Sequence, residues 1–314
     1  MNISLFCGSA NPPLAQAVAD QMGLHLGRST LHKFPDGEIH IQLEESVRGS
    51  DVYIVQPTSP PVAEHLLELL LLADACRRSG ARRLTGVVPY FGYARADRRA
   101  QGREAIGARL ICDLLRAGSL ERIVSVDLNT AAVEGFFSGS LEHLSAVPLL
   151  AEAVRPWVTS RSVIVSPDLG AVHLAQRYAS ILDLPVVIVH KSRVSGEAVS
   201  IRGIVGDVAG LAPVIVDDMI STGGTIEAAA RALLAAGAAP EVSVVASHAL
   251  LVGPAVDRLR NLPLGSLIVT DSVPLASLQA MSLPVVGLAP LLAEAIRRLH
   301  HDRSMADLIF WHEG

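Results

Sequence analysis

The sequence predicts an α/β protein with two mostly parallel sheets flanked by helices, and three observations carry that reading. Short β-branched runs alternate with helical patterns along most of the chain. The strand runs are apolar almost throughout instead of at every second residue, which marks strands covered on both faces. Apolar residues make up 50% of the 314 positions and charged ones 18%, enough for a large core and, at about 150 residues per domain, roughly two domains. Aromatics are only 4%, so that core must be built from Leu, Val, Ile and Ala.

In chain order, Ile3–Phe6 is expected as a strand and Leu14–Met22 as a helix. Strand-like runs flank Pro35, Asp36 and Gly37, and this turn chemistry predicts a projecting β-hairpin over 31–43. Val52–Val55 is a strand. A helix from about Val62 to Arg78 follows, with Leu66, Leu69, Leu70, Ala73 and Cys76 on one face and Gly80 as its stop. Leu84–Pro89, the helix Ile106–Arg116 ended by Gly118, and the strand Ile123–Asp127 complete the first half. The alternation pauses near 136–146, which sets a domain boundary: 1–145 in one domain, 146–287 in the other, with about 288–314 returning to the first. In the second half Val163–Val165, Pro185–Val189, Val214–Val216, Val242–Ala246 and Leu267–Val269 are strands, and Leu291–His300 is the last helix.

A net charge of −5 argues against a general nucleic-acid binder, which needs a basic excess. Cys7, Cys76 and Cys112 are odd in number and lack CxxC spacing, so neither a disulfide framework nor a zinc ribbon fits. The opening MNISLFCGSANPP has no basic region followed by a long apolar one, and the apolar run around Leu66–Cys76 is interrupted by Glu68 and Asp74. These features predict a cytoplasmic protein.

The chemistry concentrates between Val214 and Ile226. An apolar strand ends in Asp217 and Asp218, and after Ser221 the run Thr222, Gly223, Gly224, Thr225 opens a helix over Ile226–Leu234. Glycines let backbone N–H groups turn toward a phosphate, and a helix N-terminus favours negative charge. Paired carboxylates serve no purpose toward the phosphate itself, but they can accept hydrogen bonds from two neighbouring sugar hydroxyls. The pattern therefore suits a sugar phosphate. The plainer reading, an Asp turn and a Thr helix cap, leaves two adjacent acids at the carboxyl end of a buried strand unexplained.

This segment resembles the ribose-5-phosphate loop of the phosphoribosyltransferase fold. The loop alone does not separate enzymes that consume phosphoribosyl pyrophosphate from the one that makes it. The remaining motifs do: FPDGEIHIQLEESVRGSDVYIVQ (34–56), VVPYFGYARADRR (87–99), VDLNTAAVEGFF (126–137), VSPDLGAV (165–172), IVGDVAG (204–210) and TDSVP (270–274) occur in the order seen in ribose-phosphate pyrophosphokinases. The chain is identified as resembling that family from about residue 30 to 275, which implies two phosphoribosyltransferase-like domains.

The resemblance implies a reaction of ATP with ribose 5-phosphate to give phosphoribosyl pyrophosphate and AMP, with Mg²⁺ as cofactor. It implies that Lys191 and Arg193 are catalytic and lie on a loop closing over the triphosphate. It implies ATP contacts at Phe34, Asp36, Glu38, Arg95, Asp97 and Arg98, and ribose-5-phosphate contacts at Asp217, Asp218, Ser221, Thr222, Gly223, Gly224 and Thr225. It assigns metal-site roles to Asp168, Asn129 and Asp127, although a lone Asp at a strand end is otherwise a turn or cap residue. It also implies a homo-oligomer, usually a hexamer built from dimers, in which the 34–38 hairpin reaches a neighbour's adenine site. No nucleic-acid or membrane partner is expected.

Three positions depart from the family pattern. Asn129 stands where His is usual, Ala96 where Gln is usual, and Ser221 where an acid is frequent. The stretch after Arg193 is shorter and lacks extra Arg residues, so control by phosphate and ADP is not expected. A catalytically weak regulatory paralogue and a phosphoribosyltransferase stand as the alternative readings, and a purine-operon-type binding module as a further one.

Overall fold

The computed structural model describes residues 2–193, 199–274 and 283–309, with side chains over the same ranges except 191–193 and 199–201. The chain divides into two compact units. The first comprises residues up to Ser145, Ser272–Pro274 and the segment from Gly287; the second comprises Ala146–Asp271 and the strand before Gly287.

The first unit runs β1 (Ile3–Cys7), α1 (Pro12–Met22), β2 (Ser29–Lys33), β3 (Ile39–Leu43), β4 (Asp51–Val55), α2 (Val62–Arg78), β5 (Arg83–Val87), α3 (Gly107–Ala117), β6 (Arg122–Val126), α4 (Ala132–Phe136) and β7 (Ser140–Leu144). Its main sheet has the order β1-β4-β5-β6-β7 with every pair parallel. All five residues of β4 are buried, the outcome of the apolar run Val52–Val55 being covered on both faces, with Asp51 buried at its start. Helix α1 begins where the Asn11 side chain accepts the Leu14 N–H and ends at Gly23, whose φ of 68° suits glycine. Phe6, Ile54, Leu69, Leu72, Leu115 and Ile123 meet in the core, with Cys76 and Cys112 among them. Burial pushes the Cys76 thiol up to about 12 and the Cys112 thiol to about 11, so neither is a nucleophile at neutral pH.

The expected hairpin is β2 and β3, paired antiparallel as a separate two-stranded sheet. Ile41 and Leu43 at its base pack on the unit's core. The pause near 136–146 is not a loop, because Ser140–Leu144 forms β7 at the edge of the main sheet. Its sequence, SLEHL, is too polar to resemble the buried strands, since an edge strand carries polar groups that a central strand excludes.

The second unit runs α5 (Val147–Val154), β8 (Ser162–Ser166), α6 (Val172–Leu182), β9 (Val186–Arg193), β10 (Val199–Val205), β11 (Ala212–Ile220), α7 (Gly224–Ala235), β12 (Val242–Ala249), α8 (Ala255–Arg260), β13 (Leu264–Thr270) and β14 (Val285–Val286). The sheet order is β10-β9-β8-β11-β12-β13-β14, parallel throughout except for the antiparallel pair β9–β10. Strand β9 extends beyond the apolar Val186–Val189, because pairing with β10 carries the polar residues to Arg193. Lys191 and Arg193 therefore lie within a strand, opposite Ile201 and Val199, and not on a loop after it.

The chain then returns to the first unit as α9 (Ala289–His300), which packs on α1 and buries Leu292, Ala293 and Ile296 among others. At its end His300 Nδ1 lies 2.9 Å from the carboxylate of Asp51, a fully buried residue that also receives Arg83, Arg122 at 3.2 Å and the Tyr53 hydroxyl at 3.1 Å.

Candidate active site

In the second unit, β11 lies at the centre of the sheet with β8 and β12 as neighbours. It carries Asp217 and Asp218 near its carboxyl end and, unlike the sequence expectation, continues past them to Ile220, because pairing with β12 extends it. That end of a parallel sheet is where ligands gather in α/β proteins. The Asp217 carboxyl is pushed well above the ordinary carboxylate range, first by burial and then by the negative charges of Asp218 and Asp168. Asp217 Oδ1 also accepts the Asp218 N–H at 3.0 Å. Three acids predicted from two separate motifs thus act on one another within one unit. Asp168 additionally caps the turn after β8: its Oδ1 accepts the N–H groups of Gly170 at 2.8 Å and Ala171 at 3.1 Å.

Between β11 and α7 the cap position belongs to Gly223, at φ 76°, with no side chain capping the helix. A Thr cap therefore does not explain the Thr-Gly-Gly-Thr run. A Cβ at Gly223 would also lie 3.4 Å from the Ala255 Cα, so both the backbone conformation and the close approach of α8 require glycine. Ser221 and Thr225 are half-buried and Thr222 is exposed, so three hydroxyl residues and the first-turn amides of α7 lie within one short loop.

Sequence reasoning missed the brace behind this loop. Arg258 on α8 donates from Nη1 to the Thr222 carbonyl oxygen at 3.0 Å, and its Nε lies 3.3 Å from Glu227 Oε2. Glu227 also accepts from Arg231, four residues along α7. Arg258 is 36 residues from Thr222 and carries no local motif, so only the packing of α8 on α7 exposes its role.

In the first unit, the loop after β5 carries the predicted nucleotide residues. Thr58 holds its start, accepting the Gly92 N–H at 2.6 Å and donating from its own N–H to the Tyr90 carbonyl at 2.9 Å. Arg95 and Arg98 are exposed, and Asp97 and Ala96 are half-buried. In the hairpin the Asp36 carboxylate accepts the Glu38 N–H at 3.1 Å, and Gly37 has φ 92°. Phe34 is 44% exposed and contacts the rings of His32 and His40, with centroids 5.1 and 5.7 Å away. An apolar ring is thus left partly in solvent beside the turn.

Asp127 follows β6, buried and at φ 38°, accepting from the Ser145 hydroxyl at 3.1 Å, while Asn129 is exposed. Among the described residues no three His, Cys, Asp or Glu side chains are arranged to hold a metal ion.

Another feature missed from the sequence is Glu68, a buried acid inside the leucine-rich face of α2. It accepts from the Ser9 N–H at 2.9 Å and from Gln56 Nε2 at 2.8 Å, while Gln56 accepts the Ala10 N–H at 3.1 Å. The network joins the loop after β1 to the end of β4, at the same edge of the sheet as Arg95. An acid between Leu66 and Leu72 was the available signal, since a carboxylate is buried only with partners.

Comparison with known proteins decides the family. The family model of the N-terminal domain of ribose phosphate pyrophosphokinase matches residues 3–118, and that of the phosphoribosyl synthetase-associated domain matches 194–310. A ribose-phosphate pyrophosphokinase of Gloeobacter violaceus is 43% identical over 308 residues, covering 98% of this chain and 92% of the relative. The Bacillus subtilis protein of the same name is 41% identical, covering 98% and 97%. The chain belongs to the ribose-phosphate pyrophosphokinase family. The crystal structure of phosphoribosylpyrophosphate synthetase from Mycobacterium smegmatis has a TM-score of 0.91 at 39% identity, covering 96% of this chain and all of that one. The resemblance read from the motifs and the α/β fold with phosphoribosyltransferase-like sheets both stand. Within the ribose-phosphate pyrophosphokinase frame, the Asp217–Thr225 loop and the Arg95–Arg98 loop each lie at the carboxyl edge of a parallel sheet. Among the described residues, no helix is long and apolar enough to cross a membrane.

Proposed function

We propose that this protein is a cytoplasmic ribose-phosphate diphosphokinase, transferring the diphosphoryl group of ATP to the anomeric hydroxyl of ribose 5-phosphate. The observation that carries the reading is the glycine-capped loop after β11, which follows an acid pair near the end of that strand and opens a helix N-terminus with no side-chain cap. The loop 221–225 holds the 5-phosphate through its amides and hydroxyls. Asp217 and Asp218 accept hydrogen bonds from the two ring hydroxyls. The anomeric oxygen attacks the β-phosphorus, the bond from that phosphorus to the α–β bridging oxygen breaks, and AMP leaves with the electron pair. The anomeric proton is lost to solvent.

Lys191 and Arg193 neutralise charge on the transferring group, in keeping with phosphoryl transfer, where positioning and electrostatics do most of the work. Arg95, Asp97 and Arg98 bind ATP. Phe34, Asp36 and Glu38 bind the adenine of a neighbouring subunit, so the working form is a homo-oligomer, a hexamer assembled from dimers. The exposed Phe34, Tyr93, Leu110 and Leu114 of the first unit support subunit contacts there.

The donors Asp127, Asn129 and Asp168 are all oxygens, and oxygen suits Mg²⁺, which keeps several waters and takes few protein ligands. Mg²⁺ held by Asp127 and Asn129, or by Asp168, would supply charge neutralisation to the triphosphate.

The test is direct. Protein incubated with Mg²⁺, ATP and ribose 5-phosphate is followed by ³¹P NMR, with AMP and phosphoribosyl pyrophosphate expected in equal amounts. ADP as the product, or no turnover, would sink the reading. Lys191→Ala is expected to lower kcat about 10²- to 10³-fold, the usual loss for one preorganised electrostatic group. The departure at Asn129 favours a weaker enzyme as the second reading. Asn129→His separates the two: a large rise in turnover means the parent is impaired, and no rise means it is adapted.

A further inference from the structure

The segment between Asp127 and Asn129 is held from behind by a histidine that no motif singled out. His143 on β7 has a side chain only 1% exposed. Its Nε2 accepts the Leu128 backbone N–H at 2.7 Å, and its Nδ1 lies 2.8 Å from Glu134 Oε1. A backbone N–H can only donate, so Nε2 carries no proton and Nδ1 donates to Glu134. Carboxylate, imidazole and backbone amide thus form one polarised chain ending at Leu128. The residue before Leu128, Asp127, is held at φ 38°, a conformation that an L residue adopts only when its surroundings impose it. The Ser145 hydroxyl, two residues past His143, holds the Asp127 carboxylate at 3.1 Å. Strand β7 and the residue just after it therefore clamp both the backbone and the side chain of this strained turn.

We propose that His143, braced by Glu134, is a positioning residue that sets the Asp127–Asn129 turn for binding of the metal–ATP complex. The inference rests on the assignment of that turn to the ATP side. It acts as outer partners of metal sites do, through the orientation of groups that touch the ligand.

The test uses the full chain with each substrate varied in turn, and Mn²⁺ with ATP followed by electron paramagnetic resonance. Gln places an acceptor oxygen near the position of Nε2, whereas Asn reaches only the position of Nδ1. His143→Asn is expected to raise the KM for metal–ATP and weaken Mn²⁺ binding about 10- to 100-fold. The KM for ribose 5-phosphate should be unchanged, and His143→Gln should recover most of the loss. Equal behaviour of the Gln and Asn variants, or parallel rises in both KM values, would overturn the inference. Thermal unfolding checks that each variant folds. If His143→Asn does not, Glu134→Ala removes the brace at a partly exposed position, and metal–ATP affinity unchanged by it would also overturn the proposal. Asp127→Asn distinguishes the two levels. If it leaves Mn²⁺–ATP binding intact, the assignment of the turn fails; if it impairs binding while His143→Asn does not, only the role of His143 fails.

Discussion

Arg258 Nη1 donates to the carbonyl oxygen of Thr222 across 3.0 Å, tying α8 to the loop that precedes α7. The same guanidinium approaches Glu227 Oε2 at 3.3 Å. The loop geometry is thus maintained by a side chain that need not touch substrate. Arg258→Met keeps the apolar stem and removes both contacts. The KM for ribose 5-phosphate should rise about 10- to 100-fold, the range in which small misplacements of a binding group are felt, with the KM for ATP unchanged. Steady-state kinetics with each substrate varied separately reads the difference.

Asp217 predicts an unusual dependence of stability on pH. Its folded carboxyl titrates well above the ordinary value of 3.8 because burial and the charges of Asp218 and Asp168 disfavour ionisation. Above that ordinary value the folded state holds the proton more tightly than the unfolded one. Rising pH then weakens the fold until the raised value is passed. Asp217→Asn removes this penalty. The melting temperature of the unliganded variant should exceed the parent's at pH 7, and the gap should close as pH falls toward 3.8. Binding of ribose 5-phosphate should weaken in the same variant, an exchange of stability for function. A melting temperature unchanged at pH 7 would contradict the account.

The Asp51 cluster predicts a large structural effect. A fully buried carboxylate is matched there by Arg83, Arg122 and His300. Removing one member strands the others' charge in the interior. Asp51→Ala should destabilise the first unit by about 3–5 kcal/mol, measured by urea unfolding. A loss below about 1 kcal/mol would mean the cluster behaves as a surface ion pair.

Much of the fold was legible because the apolar strands state their burial directly. Val52–Val55, Ile123–Val126 and Val214–Val216 have no other use than a covered parallel sheet. The hairpin was legible because Pro35, Asp36 and Gly37 form a turn by their own chemistry. Edges were not legible. SLEHL at 140–144 and the polar end of β9 owe their strand conformation to partners distant in sequence, β6 and β10.

The site divides in the same way. The acid pair and the glycines of 217–225 announce themselves, because close backbone approach demands glycine at a fixed spacing. The supports, Arg258, Glu68 and His143, do not, since each acts through one long-range contact and sits in an ordinary helix or strand. A buried acid within leucines hinted at Glu68; nothing local hinted at Arg258.

The return of α9 to the first unit has a consequence for synthesis. Asp51 is made early, and its partner His300 is made nearly 250 residues later, the separation recorded between them being 249. While the second unit is being translated, α1 lacks the helix that covers it, and the Asp51–Arg83–Arg122 group lacks its closing member. The first half to leave the ribosome is therefore the last to be finished. A nascent chain halted before Gly287 presents an apolar helix face and an open ionic core to the cell's chaperones.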